Sequence, residues 1–209
     1  MADLVNRCFS EPDFEAIKNA VADCELRTSG EIVIRLSSRS HNWLLDRLIA
    51  ASIVSVLAMA VSLWFTREHN WGVYYDFTQA TLWAVVGFAA GFFGIGGFLC
   101  TPARRRRVVW ERALKLFSAL TPTRDSTGVL IFVSLAEKCA VIVADKQIAS
   151  KVDAAYWDHP QSIIQKSIIE NRHSEGIISA VREIGAKLSE HFPRRADDIN
   201  EQPDRPEIV

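Results

Sequence analysis

The sequence predicts an α/β domain, a small mixed sheet with helices on both faces, interrupted by a two-helix transmembrane hairpin. Three observations predict it. Two long stretches near the middle of the chain, residues 48–66 and 79–100, carry no charge. Strand-like runs lie on both sides of them, Glu31–Leu36 before and Gly128–Leu135 and Cys139–Ala144 after. Helical apolar periodicity surrounds those runs on each flank.

The chain has 209 residues, with 24 basic against 25 acidic ones. That length holds one small domain plus a membrane segment, and the near-neutral balance argues against a nucleic-acid partner. The charges are unevenly placed, since none occurs between Asp76 and Arg104. Residues 1–42 contain no apolar core of a signal peptide. Cys8, Cys24, Cys100 and Cys139 are widely separated, without a CxxC pair or a histidine at zinc-ligand spacing, so they read as buried or free thiols. No HExxH, P-loop or GxSxG motif occurs, and the histidines are isolated.

The first uncharged stretch, about 19 residues at about 1.5 Å each, spans about 28 Å, close to the hydrocarbon thickness of a bilayer. The second, rich in Gly and in aromatics such as Trp83, Phe88, Phe92 and Phe93, crosses back. Orientation follows from the basic residues. The connecting loop offers only Arg67, whereas Arg104, Arg105, Arg106, Arg107, Arg112 and Lys115 follow the second span and Arg35, Arg39 and Arg47 precede the first. The loop is therefore expected outside and both flanks in the cytoplasm, with Trp64, Trp71, Tyr74 and Tyr75 in an outer aromatic belt. The cluster Arg104–Arg107 reads as an orientation signal resting on anionic lipid headgroups. Gly87 and Gly91 make a GxxxG step, which suits close packing on Ala51, Ser55, Ala58 and Ser62 of the first span or, alternatively, a face for another subunit.

On the flanks, Ser10-Glu-Pro-Asp13 resembles a capping box, and Phe14, Ile17, Val21 and Cys24 recur at helical spacing up to about Arg27. Thr28-Ser29-Gly30 breaks that helix before the first strand. After the second span, Val109, Ala113, Leu116, Phe117 and Leu120 line a helix ending before Pro122. The strands 128–135 and 139–144, joined by Ala136-Glu137-Lys138, must be antiparallel. Helices are expected over 147–157, 161–171 and 174–192, the last with the stripe Ile177, Val181, Ile184, Leu188 and with Ser174 as N-cap. Residues 193–209 combine charges with prolines and lack periodicity, and read as an extended or disordered, flexible tail. The expected organisation is thus one split cytoplasmic domain, 1–42 with 101–192, around a hairpin over 43–100.

Topology also groups some acids. The strand from Glu31 must end towards the bilayer, and a helix of about 16 residues from Arg104 carries the chain about 24 Å back. The strand from Gly128 then runs parallel to the first, so Glu31, Asp125 and Asp145 collect at the end remote from the membrane, with Thr28, Ser29 and Arg124. Three carboxylates beside hydroxyls have the oxygen-donor chemistry of a Ca²⁺ or Mg²⁺ site. The alternative is that they cap helices, pair with Arg124 or Lys146 and face water.

Three segments, TSGEIVIRLSS, RDSTGVLIFVSLAEKCAVIVADKQI and SEGIISAVREIGAKLSEHFP, together with the tail DDINEQPDRP, resemble the TPM domain family. That family is shared by a thylakoid-lumen repair protein of photosystem II, a receptor-modulating protein of animals and many bacterial envelope proteins. The tail looks like that of a bacterial branch in which a membrane hairpin interrupts the domain. The resemblance implies an α/β fold with helices on both faces of a small sheet, often with bound calcium. It also implies a role in assembly or repair of membrane complexes, and one plant branch is associated with weak acid phosphatase activity. The glycine-rich loop common after the core hairpin is replaced here by Ala144-Asp145-Lys146-Gln147. The expectation is an accessory protein of the bacterial inner membrane with both termini cytoplasmic. Its expected partners are membrane lipids and a larger membrane complex or further copies of itself. A weak metal-dependent phosphatase using Glu31, Asp125 and Asp145 is the alternative.

Overall fold

The computed structural model describes residues 3–66, 77–120, 127–194 and 202–209. The chain divides into two compact units, Met1–Ser40 with Arg106–Val209, and His41–Arg105.

The first unit is a mixed α/β fold. It opens with α1 (Asp3–Cys8) and α2 (Glu11–Glu25). Ser10 has the extended backbone of an N-cap, its N–H donates to Asp13 Oδ2 at 2.8 Å, and Pro12 occupies the first turn, where no backbone donor is needed. The periodic residues Phe14, Ile17, Val21 and Cys24 are buried. Strand β1 (Glu31–Ser37) follows.

The second unit is a helical hairpin. Helix α3 (Trp43–Thr66) is followed by α4 (Phe77–Ala89), a π-helical stretch Ala90–Ile95 and a short last turn, α5 (Gly96–Phe98). Trp43–Phe65 and Phe77–Phe98 are both long and apolar enough to cross a membrane, and only 17% of each apolar window is buried. A helix packed in a soluble core would hide far more of itself; Phe65, Phe93 and Phe98 are instead largely exposed. Residues 67–76, with Arg67, Trp71, Tyr74 and Tyr75 of the expected loop and belt, lie outside the described residues.

The chain continues through α6 (Pro102–Ser118), β2 (Gly128–Ser134), β3 (Cys139–Ala144) and α7 (Lys146–Lys151). Then come a 3₁₀ turn (Ala154–Trp157), α8 (Asp158–Ile169), α9 (His173–His191) and β4 (Glu207–Ile208). The expected helix 147–157 is broken, because Val152 turns extended and Asp153 starts a new turn by accepting from Ala155 N at 3.1 Å. Ser174 lies inside α9 rather than at its cap, and its side chain bonds the Asp13 carboxylate. Glycine at 176 is required by close approach: a Cβ there would lie 1.9 Å from Ser167 Oγ on α8.

The sheet order is β3-β2-β1-β4. β1 and β2 are parallel, with Glu31 opposite Gly128, and β2 and β3 are antiparallel. Period-two alternation sends Ile32, Ile34, Leu36, Val129, Ile131 and Val133 to one face, where they pack with Ile17, Val21, Ile177, Val181 and Ile184. Val33, Leu130, Phe132 and Val141 point to the other, against Val109 and Ala113 of α6. Helices therefore cover both faces, and β1 and β2 are apolar throughout for that reason.

One expectation is overturned. Within the tail expected to be extended or disordered and flexible, residues 202–209 return to the sheet, and Glu207–Ile208 pair with β1 in parallel, Glu207 opposite Arg35. A two-residue strand has no periodicity to detect, so only its non-local partner reveals it. Residues 195–201 lie outside the described residues.

Candidate functional site

The residues that could carry chemistry gather where β1 and β2 begin. Glu31 opens β1; its N–H donates to Thr127 O at 3.1 Å and its side chain is buried. Across the pairing, Asp145 N donates to Gly128 O at 2.9 Å, which brings Asp145 to the same end of the sheet as Glu31. Asp145 is the N-cap of α7, and its carboxylate accepts from Lys146 N at 2.6 Å. Asp125 and Arg124 lie outside the described residues. Among the described residues no group of three Asp, Glu, His or Cys side chains is arranged to hold a metal ion.

The hydroxyl of Thr28, buried beside them, donates to Phe192 O at 2.7 Å and accepts from Gly30 N at 3.0 Å. Ser29 N donates to the same carbonyl at 3.0 Å. These contacts tie the end of α9 to the entry of β1.

The residue that sequence reasoning missed is Glu25. It sits in the last turn of α2, and its Oε1 accepts from Ile32 N at 3.0 Å. Burial pushes its carboxyl up to about 8; the Ile32 N–H works against that shift, while the charges of Glu31 and Asp204 and a hydrogen bond to Asp204 add to it. Glu25 thus holds a proton at neutral pH and shares hydrogen bonds with β1 and with the C-terminal segment. A signal was present in the sequence, because a carboxylate in the last turn of a helix opposes the helix dipole. Nothing local distinguished it from a solvated surface acid.

The C-terminal segment follows the rim of this region. Arg205 pairs with Glu11 and, at 3.8 Å, with Glu15, and its guanidinium lies 5.8 Å from the Phe14 ring centre. Pro206 is buried. Glu207 pairs with Arg35 at 2.8 Å, and Val209 N donates to Leu36 O at 2.9 Å.

At the opposite end of the sheet, buried Glu137 accepts from the Ser134 hydroxyl and from Ser40 N, the latter at 3.0 Å. Lys138 beside it adopts a left-handed backbone, φ 49°, which the tight turn between β2 and β3 requires.

The arginine cluster at the start of α6 is chemically divided. Arg104 pairs with Asp46 at 3.1 Å, donates to Leu99 O at 3.1 Å and lies 5.7 Å from the Trp43 ring centre. His41 Nε2 is 3.0 Å from the same Asp46 carboxylate. Arg107 pairs with Glu111 at 3.0 Å, and Arg105 and Arg106 are exposed. Gly87 and Gly91 face α3: a Cβ on Gly87 would lie 2.8 Å from Ala58 Cβ, and one on Gly91 2.7 Å from Ala51 Cα. The Ser55 hydroxyl donates to Ala84 O at 2.8 Å across the same contact.

All four cysteines are free; Cys24, Cys100 and Cys139 are buried and Cys8 partly so. Burial holds the Cys8, Cys24 and Cys139 thiols above their usual range, which makes them poor nucleophiles.

The sequence matches no protein-family model and no curated protein. Among solved structures, the chain is similar to the NMR structure of the BA42 protein from the psychrophilic bacterium Bizionia argentinensis. The two share 22% sequence identity and a TM-score of 0.59, over 96% of this chain and 95% of the other. At that identity the likeness is one of fold: a mixed α/β arrangement that this chain shares with a bacterial protein.

Proposed function

We propose that this chain is a membrane-anchored accessory protein of the TPM type, held in a bacterial inner membrane by α3 and the helix from α4 to α5. Its α/β unit then serves on the cytoplasmic side as an adaptor for the assembly, stability or repair of a larger membrane complex. The observation that carries the reading is the pair of apolar helices, 23 and 22 residues long and only 17% buried. Such surface is stable only against lipid or other apolar helices. Three further features support it. The α/β unit completes its own core on both faces of the sheet, as an independent module does. The exposed Arg105 and Arg106 suit anionic headgroups, and the three TPM-like segments occur in the family's order.

Gentle extraction followed by native mass analysis tests the adaptor role. The expected result is a complex with at least one other subunit, and a lone monomer under every growth condition would refute it. Orientation is tested separately in a cysteine-free background. A cysteine at Asn70 should react with an impermeant thiol reagent in intact cells, whereas one at Lys146 should not; the reverse pattern would invert the topology.

A further inference from the structure

The outer edge of β1 is the place where this fold would accept another strand. Glu31 N donates to Thr127 O on the β2 side, so the main-chain groups of Ile32, Ile34 and Leu36 point the other way. Two devices cover that edge. The Glu25 carboxyl accepts from Ile32 N, and the C-terminal segment pairs alongside Arg35 and Leu36. Uncovered strand edges bind other chains, so such covering is expected.

The covering by the C-terminal segment is slight. β4 has two residues, against seven in β1 and seven in β2. Its ion pairs lie at the surface: Arg205 is 51% exposed, Glu11 67% and Glu207 42%. Surface pairs of this kind contribute little against water and salt. Of its apolar residues Pro206 is buried, Val209 is partly buried against the α6 side of the sheet and Ile208 is exposed, while Asp204 shares a hydrogen bond with Glu25. Arg35 is different, because its side chain is only 17% exposed and it anchors the acidic residue opposite it.

We infer that the outer edge of β1, centred on Arg35 and Leu36, is a docking slot for an extended segment of a partner protein bearing an acidic residue followed by apolar ones. Glu207–Val209 occupy this slot in cis as a displaceable placeholder. The bound segment adds a parallel strand whose backbone supplies the affinity, and Arg35 selects the acid and with it the register. Pro206, which has no N–H, limits growth of the sheet beyond the placeholder. The identity of the occupant as a partner segment rests on the adaptor reading, whereas the slot itself does not.

The test uses the full chain in lipid nanodiscs, the same chain ending at Glu201, and a labelled peptide of residues 202–209. The shortened chain should bind the peptide at least tenfold more tightly than the full chain. A Glu207→Lys peptide should lose at least fivefold, and Arg35→Glu in the chain should restore its binding. Absence of binding to the folded shortened chain, or equal binding to both chains, would overturn the slot. Hydrogen exchange on the full chain tests displaceability without truncation. The Val209 amide should exchange at least a hundredfold faster than that of Ile131 in β2, and equal protection would make the segment an integral strand. A dimer of the full chain that disappears when residues 202–209 are removed would assign the slot to a second copy and overturn the partner reading. Peptide binding combined with a lone monomer on extraction would refute the adaptor role and leave the slot standing.

Discussion

The Glu25 carboxyl accepts a hydrogen bond from Ile32 N at 3.0 Å while lying close to Glu31 and Asp204. A backbone donor of β1 is thereby satisfied by an acid that keeps its proton up to about pH 8, against an ordinary value of 4.5.

The folded state therefore binds more protons than the unfolded state between about pH 4.5 and 8. The stability contributed by Glu25 is fully present below that window and is lost as pH rises through it, with a slope of at most about 1.4 kcal/mol per pH unit. Glu25→Gln has no such dependence. Denaturant unfolding in mild detergent should show the wild type losing stability relative to Glu25→Gln from pH 5 to pH 8. A difference constant with pH would mean that Glu25 ionises as an ordinary surface acid.

Gly91 and Gly94 should respond unequally to enlargement. A Cβ on Gly91 would approach Ala51 Cα to 2.7 Å and Ala50 O to 2.8 Å, whereas nothing lies within 4 Å of one on Gly94. Gly91→Leu should destabilise the hairpin by about 1–3 kcal/mol, the usual cost of overpacking a tight contact. Gly94→Leu should change its thermal unfolding little. Equal effects of the two, followed by helical circular dichroism, would contradict this packing.

Gly176→Ala should cost the α/β unit about 1–3 kcal/mol, since the new Cβ meets both Ser167 Oγ and Ser167 Cβ. Ser167→Gly alone should cost about 0.5 kcal/mol, the difference in helix propensity between serine and glycine. The double variant should be more stable than the sum of the two predicts. Strict additivity in a double-mutant cycle would show that α8 and α9 separate to relieve the clash.

Because β1 lies between β2 and β4, both large cores depend on a strand that precedes the hairpin in sequence. Replacing residues 41–105 with a flexible linker of about ten residues should leave a cooperatively folded, soluble unit, since loop-closure cost changes slowly with length. Residues 106–209 alone lack Ile32, Val33, Ile34 and Leu36 from the cores and expose the edge of β2, so they should aggregate. Dispersed amide resonances from that fragment would contradict the dependence on β1.

Phe132, fully buried between the sheet and α6, is the largest side chain of the second core. Phe132→Ala should cost about 3–5 kcal/mol in denaturant unfolding. A loss under about 1 kcal/mol would mean that α6 is only loosely seated on the sheet.

Much of this architecture was legible in the chain itself, because it follows from local rules. The apolar spans, the run Gly128–Ser134 and the stripe Ile177, Val181, Ile184, Leu188 carry a period or a length that points to one element. The parallel direction of β1 and β2 followed from the expected membrane side of the first strand and the reach of the helix between them, whereas their register did not. What the tertiary structure decided were contacts between residues distant in sequence. Glu25 looked like any surface acid until burial, with the charges of Glu31 and Asp204 beside it, held its proton. Asp145 caps α7, its carboxylate accepting from Lys146 N. Glu207–Val209 looked like part of a disordered tail, because a two-residue strand has no periodicity and its stability comes from Arg35 and Leu36 across the sheet. Periodicity determines which face of an element is buried; only the assembled sheet determines which polar group meets which, since those energies depend on burial and distance rather than on sequence neighbours.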